Sequence, residues 1–414
     1  MSAEVKPGFK QTEVGVLPVD WEARKLGELA SFRTGPFGSA LHKSDYTNDG
    51  IPVVNPMHIL DGRIVPTTSM TITEDAAKNL EEFRLKPGEV IIGRRGDMGR
   101  CAVVSERERG WLCGTGSMIV RPSVSADAYF LQRVLSSPSI IKAIEDSSVG
   151  STMINLNQGT LSNLVVQAPK VEEQRAVAAT LSDMDTLISS LDQEIAQKRD
   201  IQQAAMQQLL TGQRRLPGFS GKWEVKKLGD IASLNRINVI PFTTPDKTFT
   251  HFSLPAFDEG KRPVKELGVE IGSNKFSVPA NAILVSKLNP RIPRVWLPQD
   301  IPDNAVASTE FLVLTPRDGI AREFLYVVCR SSSFCAQMEL AATGTTGSHQ
   351  RISPGSALSL SVSVPSEKFE QSAIATILFD MDTEIASLES RLEKTRQLKQ
   401  GMMQELLTGR IRLV

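Results

Sequence analysis

The chain of 414 residues has little of the material that makes disulfide frameworks, metal sites and membrane anchors. Its four cysteines, Cys101, Cys113, Cys329 and Cys335, form no C-x-x-C pair, and its four histidines are scattered. We therefore expect a reduced, cytoplasmic protein without a zinc site. No apolar run approaches the roughly 18 residues of a membrane span. The first residues also lack the apolar stretch of a signal peptide.

The chain also lacks net charge, since 47 basic and 47 acidic side chains cancel. Their distribution is uneven. Residues 171–212 hold seven acidic and three basic side chains, and residues 367–410 hold eight acidic and six basic ones. These segments therefore carry charges of −4 and −2, which leaves +6 on the rest of the chain. Two basic regions alternate with two mildly acidic segments, and this asymmetry favours a nucleic-acid partner more than the overall sum does.

The chain contains an internal duplication. The segment WEARKLG at Trp21 returns as WEVKKLG at Trp223, an offset of 202 residues. A longer segment, 174–212, returns as 371–409, an offset of 197 residues, with DMDT and LLTG identical in both copies. A repeat of this length is domain-sized, which excludes a solenoid array. We therefore predict two globular units, each large enough to bury a core.

Both copies of the longer segment have the pattern of a long helix. Apolar residues recur at alternating intervals of four and three, which is an a/d heptad seam. Its members are Val177, Leu181, Met184, Ile188, Leu191 and Ile195 in the first copy and Ile374, Leu378, Met381, Ile385, Leu388 and Leu392 in the second. The seam is interrupted by Lys198 and Gln202 in one copy and by Thr395 and Lys399 in the other.

The predicted helices begin just past Pro169 and Pro365 and end at the caps Gly212 and Gly409. Each would be a rod of roughly 60 Å. A surface helix on its own domain is the alternative. A rod of this length needs a partner for its seam, however, and the chain order domain, rod, domain, rod favours an antiparallel pair.

The regions between the rods are predicted to be α+β. Strand candidates bounded by turn residues lie at 51–55, 90–93, 101–104, 117–120, 282–286, 295–297 and 311–314. Helix candidates lie at 73–83, 127–137, 138–146 and 321–340. The predicted organisation is an N-terminal segment 1–20, a first domain 21–168, a helix and linker 169–216, a second domain 217–364 and a C-terminal helix 365–414.

These segments resemble the specificity (S) subunits of type I restriction-modification systems. The resemblance rests on the W-E-x-[RK]-K-L-G opening of each half, on PGEVIIGRRGDMGRCAVV at 87–104, on GSTMINL at 150–156 and on EEQRAVAATLSDMDTLI at 172–188. It covers nearly the whole chain, in the expected order. It implies two α/β-mixed target recognition domains separated by two long, antiparallel, conserved helices, related by a pseudo-two-fold repeat.

The resemblance also implies a function. Each recognition domain would read one half of a bipartite, asymmetric site in double-stranded DNA. The helices would set the spacer and hold two methyltransferase (M) subunits, which restriction (R) subunits can join. The chain itself would perform no chemistry and carry no cofactor. S-adenosylmethionine is expected on the M subunits, and ATP with Mg²⁺ on the R subunits.

The candidate DNA-binding residues are cations and polar groups on glycine-rich or turn-rich loops. Arginine grips phosphate or reads guanine, and hydroxyl and amide groups bond phosphates and base edges. The candidates are Arg33, Lys43, Arg94, Arg95, Arg100, Ser151, Thr152 and Asn155 in the first domain and Arg236, Lys287, Asn289, Arg291, Arg294, His349 and Arg351 in the second. The alternative for each is an ordinary solvated turn.

Two other functions stay open on the sequence alone. One is a coiled-coil scaffold that binds only proteins. The other is a nuclease in which Asp246, Glu259 and Lys261 hold Mg²⁺ and activate water. This second pattern is short and lies in one domain only. The GRRGDMG segment does not add a phosphate-binding loop, because no Gly-Lys-[Ser/Thr] follows it.

Overall fold

The computed structural model describes residues 6–37, 40–147, 156–344 and 349–413. The chain divides into two compact units, residues 1–190 with 392–414 and residues 191–391. The boundary falls inside both long helices. Each unit therefore combines one globular domain with part of each helix.

The first unit is built on an antiparallel four-stranded sheet. Its strand order is Cys101–Val103, Val90–Gly93, Ser117–Pro122, Ala30–Thr34. Successive side chains of a strand point to opposite faces. Val90 and Ile92 accordingly join a core with Phe130 and Leu131, whereas Ile91 joins a separate core on the other face. The uninterrupted apolar run of this strand follows from burial on both faces.

Smaller elements complete the first unit. A second sheet has the order Leu112–Cys113, Ile51–Val54, Thr71–Ile72, Tyr46–Thr47, and two hairpins pair Phe9–Thr12 with Gly15–Pro18 and Ile59–Leu60 with Arg63–Ile64. The shorter α-helices are Leu26–Leu29, Glu74–Lys78, Ala128–Leu135, Pro138–Asp146 and Gln158–Asn163. The 3-10 turns are Lys43–Asp45, Pro56–His58, Glu81–Phe83 and Glu106–Glu108.

The second unit repeats the same core sheet. Its order is Val295–Trp296, Ile283–Ser286, Phe311–Pro316, Ala232–Asn235. Beside it lies a five-stranded sheet of order Asn238–Val239, Lys275–Ser277, Ala305–Ser308, Thr248–Phe252, Val264–Leu267. The shorter helices are Leu228–Ile231, Leu254–Asp258, Arg322–Arg330, Ser332–Leu340 and Pro354–Leu358, with 3-10 turns at Pro241–Thr243 and Gly268–Glu270.

Two helix predictions were wrong in extent. The segment 73–83 forms only the helix Glu74–Lys78, capped by Thr73, and then the 3-10 turn Glu81–Phe83. The segment 321–340 forms two helices, because Ser331 adopts an extended conformation with ψ 145° and caps the second helix through Phe334 N–H. The apolar pattern does not reveal this break, because buried side chains occur on both sides of it, Phe324 to Cys329 before and Phe334 and Met338 after.

The two long helices are Val171–Leu210 and Lys368–Leu407, each of 40 residues. Each ends two residues before a glycine with positive φ, 72° at Gly212 and 67° at Gly409. No helix in the described ranges is long and apolar enough to cross a membrane. The buried seam residues are Val177, Leu181, Leu191, Ile195, Ile374, Leu378, Ile385 and Leu392, and the half-buried ones are Met184, Ile188, Met381 and Leu388.

The helices run antiparallel within each unit, as predicted. In the second unit, Leu209 and Leu210 join the core of Ile374 and Leu378. Lys198 lies farther from the end of the first helix and pairs with a residue farther along the second: its Nζ lies 2.6 Å from Glu384 Oε1. The first unit repeats the arrangement: Leu406 and Leu407 pack with Val177 and Leu181, and Lys399 Nζ reaches Asp185 at 2.5 Å. Lys198 and Lys399, two of the polar residues that interrupt the seam, thus make bonds across the pair.

A two-stranded clasp closes each globular domain. Glu22–Lys25 pairs with Val165–Ala168 in the first unit, and Trp223–Lys227 pairs with Ser361–Pro365 in the second. Each clasp brings the beginning of a domain beside its end, at the point where the long helix starts.

A buried glutamate anchors the start of each long helix. Glu370 has 0% exposure and accepts hydrogen bonds from Arg215 Nε at 2.7 Å, Arg215 Nη2 at 2.8 Å and Trp223 Nε1 at 3.3 Å. The paired bonds of guanidinium and carboxylate are among the strongest that side chains make. They compensate the cost of burying the Glu370 charge.

The first unit builds the same cluster with an arginine from the other end of the chain. Glu173 accepts from Trp21 Nε1 at 3.0 Å and from Arg412 Nε at 2.5 Å. Arg412 also forms two bonds to Asp20, of 2.9 and 2.8 Å. Residues 20 and 412 are therefore adjacent, as a pseudo-two-fold duplication requires.

Replacement of Arg215 tests the buried glutamate. Arg215→Ala leaves the Glu370 carboxylate buried without its cation, and we expect it to lower the unfolding free energy of the second unit by about 3 kcal/mol. Urea titration, followed by amide exchange of peptides from that unit, measures the change. Arg214→Ala is the matched control, because Arg214 is exposed. Equal midpoints for the two variants would contradict the assignment. The double variant Arg215→Met with Glu370→Met should recover most of the loss.

Candidate nucleic-acid interface

A backbone bridge joins two of the loops that the sequence singled out in the first unit. Leu156 N–H donates to Arg94 O at 3.0 Å, and Arg94 Nε donates to Leu156 O at 2.8 Å. Arg94 follows the core strand Val90–Gly93 and is only 8% exposed. Burial and the neighbouring charge of Arg95 lower the pKa of its guanidinium. Arg94 therefore fixes this loop against the segment at 156; a DNA contact by Arg94 stays a prediction.

The middle of the glycine-rich loop, Arg95 to Asp97, faces solvent, whereas Met98 and Gly99 are buried. Arg95 is exposed and has no hydrogen-bond or ion-pair partner within the described ranges. Arg100 forms an ion pair with Asp97. Gly99 has a φ of 82°, and a Cβ there would lie 2.5 Å from Ile141 Cδ1. The glycine therefore lets the loop pass close to a helix while Arg95 projects outward.

The second unit contains the equivalent bridge. Ile352 N–H donates to Lys287 O at 3.0 Å, and Asn289 N–H donates to Gln350 O at 2.8 Å. Lys287 follows the core strand Ile283–Ser286 as Arg94 follows its own. The loop sequences differ, but the backbone bond to the residue that follows the core strand is the same in both units, and the second bond comes from the Arg94 side chain in one and from the Asn289 backbone in the other.

Several candidates of the second unit gather at this bridge. Asn289 has a φ of 49°, and its Oδ1 is buried without a hydrogen-bond partner among the residues that the structure describes. Arg351 forms an ion pair with Glu310 at 3.1 Å. His349 and Arg291 are exposed on the same two segments. The structure thus brings the loop 287–294 together with the segment 349–352.

Other candidates are engaged in contacts within the domains. Arg294 makes two bonds to Asp258, of 2.7 and 2.9 Å, which lower the pKa of that carboxyl group. Arg33 forms an ion pair with Glu82 and lies 5.3 Å from the centre of the Phe83 ring.

The remaining candidates are less defined. Arg236 is exposed without a partner in the described part of the chain. Lys43 begins a 3-10 turn, but its side chain lies outside the described residues. Ser151, Thr152 and Asn155 also lie outside them.

The nuclease pattern gains no support from the geometry. Lys261 lies 5.1 Å from the centre of the Phe257 ring. Burial and the charge of Arg330 lower its pKa, and Asp382 opposes them. The charges that act on Lys261 are thus not those of Asp246 and Glu259. Among the described residues, no group of three or more His, Cys, Asp or Glu could hold a metal ion.

The sequence did not single out the arginines that fasten the domains to the long helices. Arg215 and Arg412 lie in short basic segments without a motif, and Arg133 and Arg330 lie in largely apolar helices. The available signal was the repeated DMDT, because an acidic residue on a helix that becomes half-buried needs a cation.

Part of the sequence is similar to known proteins. Residues 18–198 match the family model described as type I restriction modification DNA specificity domain. The chain is 26% identical over 239 residues to the putative type I restriction enzyme MjaX specificity subunit of Methanocaldococcus jannaschii. It is also 26% identical over 225 residues to the type I restriction enzyme MjaVIII specificity subunit of the same organism. These alignments cover 54% and 51% of this chain and 55% and 50% of those proteins. The chain thus spans about half the length of the curated relatives it matches.

Solved structures extend the likeness over the whole chain. The S subunit of a type I restriction-modification system from M. genitalium superposes with a TM-score of 0.59 at 15% identity and covers 98% of both chains. A chain from a study of complex assembly and conformational transition of the type I system gives a TM-score of 0.57 at 18% identity, covering 95% of this chain and 99% of that one. At such identities the likeness concerns the fold. The sequence match thus covers residues 18–198, and the fold of the whole chain is similar to that of type I restriction-modification S subunits.

Proposed function

We propose that this chain is the sequence-specific DNA-binding subunit of a type I restriction-modification complex. Each globular domain reads one half of a bipartite, asymmetric site. The observation that carries the proposal is the repeated backbone bridge, Leu156 to Arg94 and Ile352 to Lys287. The same scaffold presents different side chains in the two units, which suits two readers of different sequences.

The surface of the bridged loops supports DNA as the ligand. Arg95 and Arg291 are exposed cations without partners among the described residues, one on each loop. Arginine makes bidentate bonds to guanine in the major groove and to phosphate. Two readers on one spacer require half-sites at a fixed separation, near one turn of the duplex or ~34 Å.

The partners follow from the same proposal. The long helices bind two M subunits, which R subunits join in the full complex. Ile201 and Leu398 support the number two, because they stand 197 positions apart in the repeat and are 55% and 58% exposed. Each helix thus presents an apolar side chain at the same place.

The chain performs no chemistry and holds no cofactor; S-adenosylmethionine belongs on M, and ATP with Mg²⁺ on R. The complex works in the cytoplasm, with the DNA.

Binding measurements with the M partner separate this function from its alternatives. The complex should bind one bipartite duplex at least ~10³-fold more tightly than random DNA, and the affinity should fall steeply with salt. A protein-only scaffold would show equal affinity for all duplexes. The nuclease alternative predicts that the chain alone, with Mg²⁺, cuts DNA.

The exposed arginine of the first unit gives a sharper test. Arg95→Ala should weaken binding of the M-containing complex by ~1–3 kcal/mol if Arg95 reads a base, and relax recognition of one half-site only. If Arg95 contacts a phosphate, the slope of log affinity against log salt concentration should instead fall in magnitude by about 1. Arg107→Ala is the control, because Arg107 is also exposed but stands on the 3-10 turn Glu106–Glu108. Unchanged affinity, salt slope and specificity in Arg95→Ala would remove this residue from the interface.

The buried arginine should behave differently. Arg94→Met removes the donor to the Leu156 carbonyl, and an unmet buried acceptor costs ~1–3 kcal/mol. We expect faster amide exchange at residues 156–158 together with weaker binding of one half-site. Arg95→Ala should leave that exchange unchanged. Amide exchange in Arg94→Met as slow as in the wild type would show that the bridge does not depend on the guanidinium.

A further inference from the structure

One carboxylate in each unit joins three elements. In the first unit it is Asp185, the second aspartate of the first DMDT segment. Arg133, from the domain helix Ala128–Leu135, places Nη2 at 2.5 Å from its Oδ2. Lys399, from the second long helix, places Nζ at 2.5 Å from its Oδ1. Asp185 therefore ties its own helix to the recognition domain and to the opposite helix.

The second unit repeats this junction. Asp382 accepts from Arg330 Nη1 at 2.5 Å and Nη2 at 3.1 Å, and from Gln202 Nε2 at 2.8 Å. Gln202 and Lys399 occupy equivalent places in the repeat, 197 positions apart. Burial opposes the charge of Asp382, but the bonds from Arg330 and Gln202 outweigh it, and the pKa of the carboxyl group is lowered.

The two arginines do not occupy the same place in their helices. The helix caps are Asp127 and Ala321. Arg133 stands six residues after its cap and Arg330 nine residues after its own. Three residues are nearly one helical turn, or ~4.5 Å. The domain sequences have diverged and the arginine sits on a different turn, yet the bond to the aspartate is present in both units. This favours a requirement for the bond itself.

A second contact fixes the other end of each domain helix. Gln174 Oε1 accepts from Asp127 N–H at 2.8 Å, and Gln371 Oε1 accepts from Ala321 N–H at 2.8 Å. In each copy the glutamine lies 11 residues before the aspartate, ~16 Å along the long helix. Two attachment points at that separation fix the domain helix against rotation on the long helix, which a single point would allow.

We infer that Asp185 and Asp382 are positioning residues for spacer reading. Each holds its recognition domain at a set angle on the long helix and, through Lys399 or Gln202, holds the register of the helix pair. This inference rests on the proposed function. One extra base pair in a spacer moves a half-site by ~3.4 Å and turns it by ~35°. A domain held at two points resists such a displacement, whereas a domain held at one point follows it.

The test uses the full chain with its M partner and a ladder of duplexes. Each duplex carries both half-sites of the wild-type target with the native spacer or with one or two base pairs more or fewer. A second set keeps the spacer and changes one half-site. We expect Asp185→Asn and Asp382→Asn to reduce discrimination against the one-base-pair change at least tenfold, with half-site discrimination unchanged. Asp183→Asn and Asp380→Asn are matched controls in the same DMDT segments, because both side chains are exposed. They should behave as the wild type.

The outcomes are distinct. Full spacer discrimination in Asp185→Asn and Asp382→Asn overturns the inference. An equal loss of affinity on every duplex, with a lower unfolding midpoint, overturns it in favour of a purely structural role. If the wild-type complex prefers no half-site at all, the proposed function fails instead.

Discussion

Antiparallel pairing of two 40-residue helices is the constraint on which the rest of the structure depends. An amphipathic helix of this length cannot bury its seam alone, so its partner must come from elsewhere. Here the partner is the second copy of the same segment. The pairing makes each unit a composite of one globular domain and parts of both helices, which is why residues 392–414 belong with residues 1–190.

Polar contacts then give this pairing its register. The apolar seam alone would tolerate a shift by one heptad, since it repeats every seven residues. The polar interruptions do not repeat in this way. Lys198 meets Glu384 and Lys399 meets Asp185, and a shift would leave these charges without partners. Polar residues in a seam commonly fix register at some cost in stability, and here they also connect the pair to the globular domains.

Much of this architecture could be predicted from the sequence, and the reasons differ between elements. The long helices are regular over many turns, so their bounds came within three residues of Val171–Leu210 and Lys368–Leu407. The core strand Val90–Gly93 was found because it is apolar and bounded by turns. The strands Tyr46–Thr47 and Thr71–Ile72 have two residues each and no alternation to detect.

The candidate site was predictable only as a pair of loops. The segment GRRGDMGR does not show that Arg94 is buried and Arg95 exposed, because the acceptor of Arg94 lies 62 residues away at Leu156. For the same reason the sequence did not identify Arg412, whose partner Glu173 is 239 residues distant. Sequence patterns describe local periodicity, whereas these side chains are placed by the closure of the fold.

The two positions of the domain arginine show that seating a globular domain on the long helix places few demands on the sequence of that domain. The arginine belongs to the globular domain, whose sequence differs between the two units, whereas the aspartate and glutamine that seat the domain belong to the repeated helices. A globular domain therefore needs no particular sequence around its helix to be seated on the long helix. It needs a free N–H at the helix start and an arginine within one turn of the right height. What matters is whether the arginine side chain can reach the aspartate, so one helix pair can hold two domains of very different sequence.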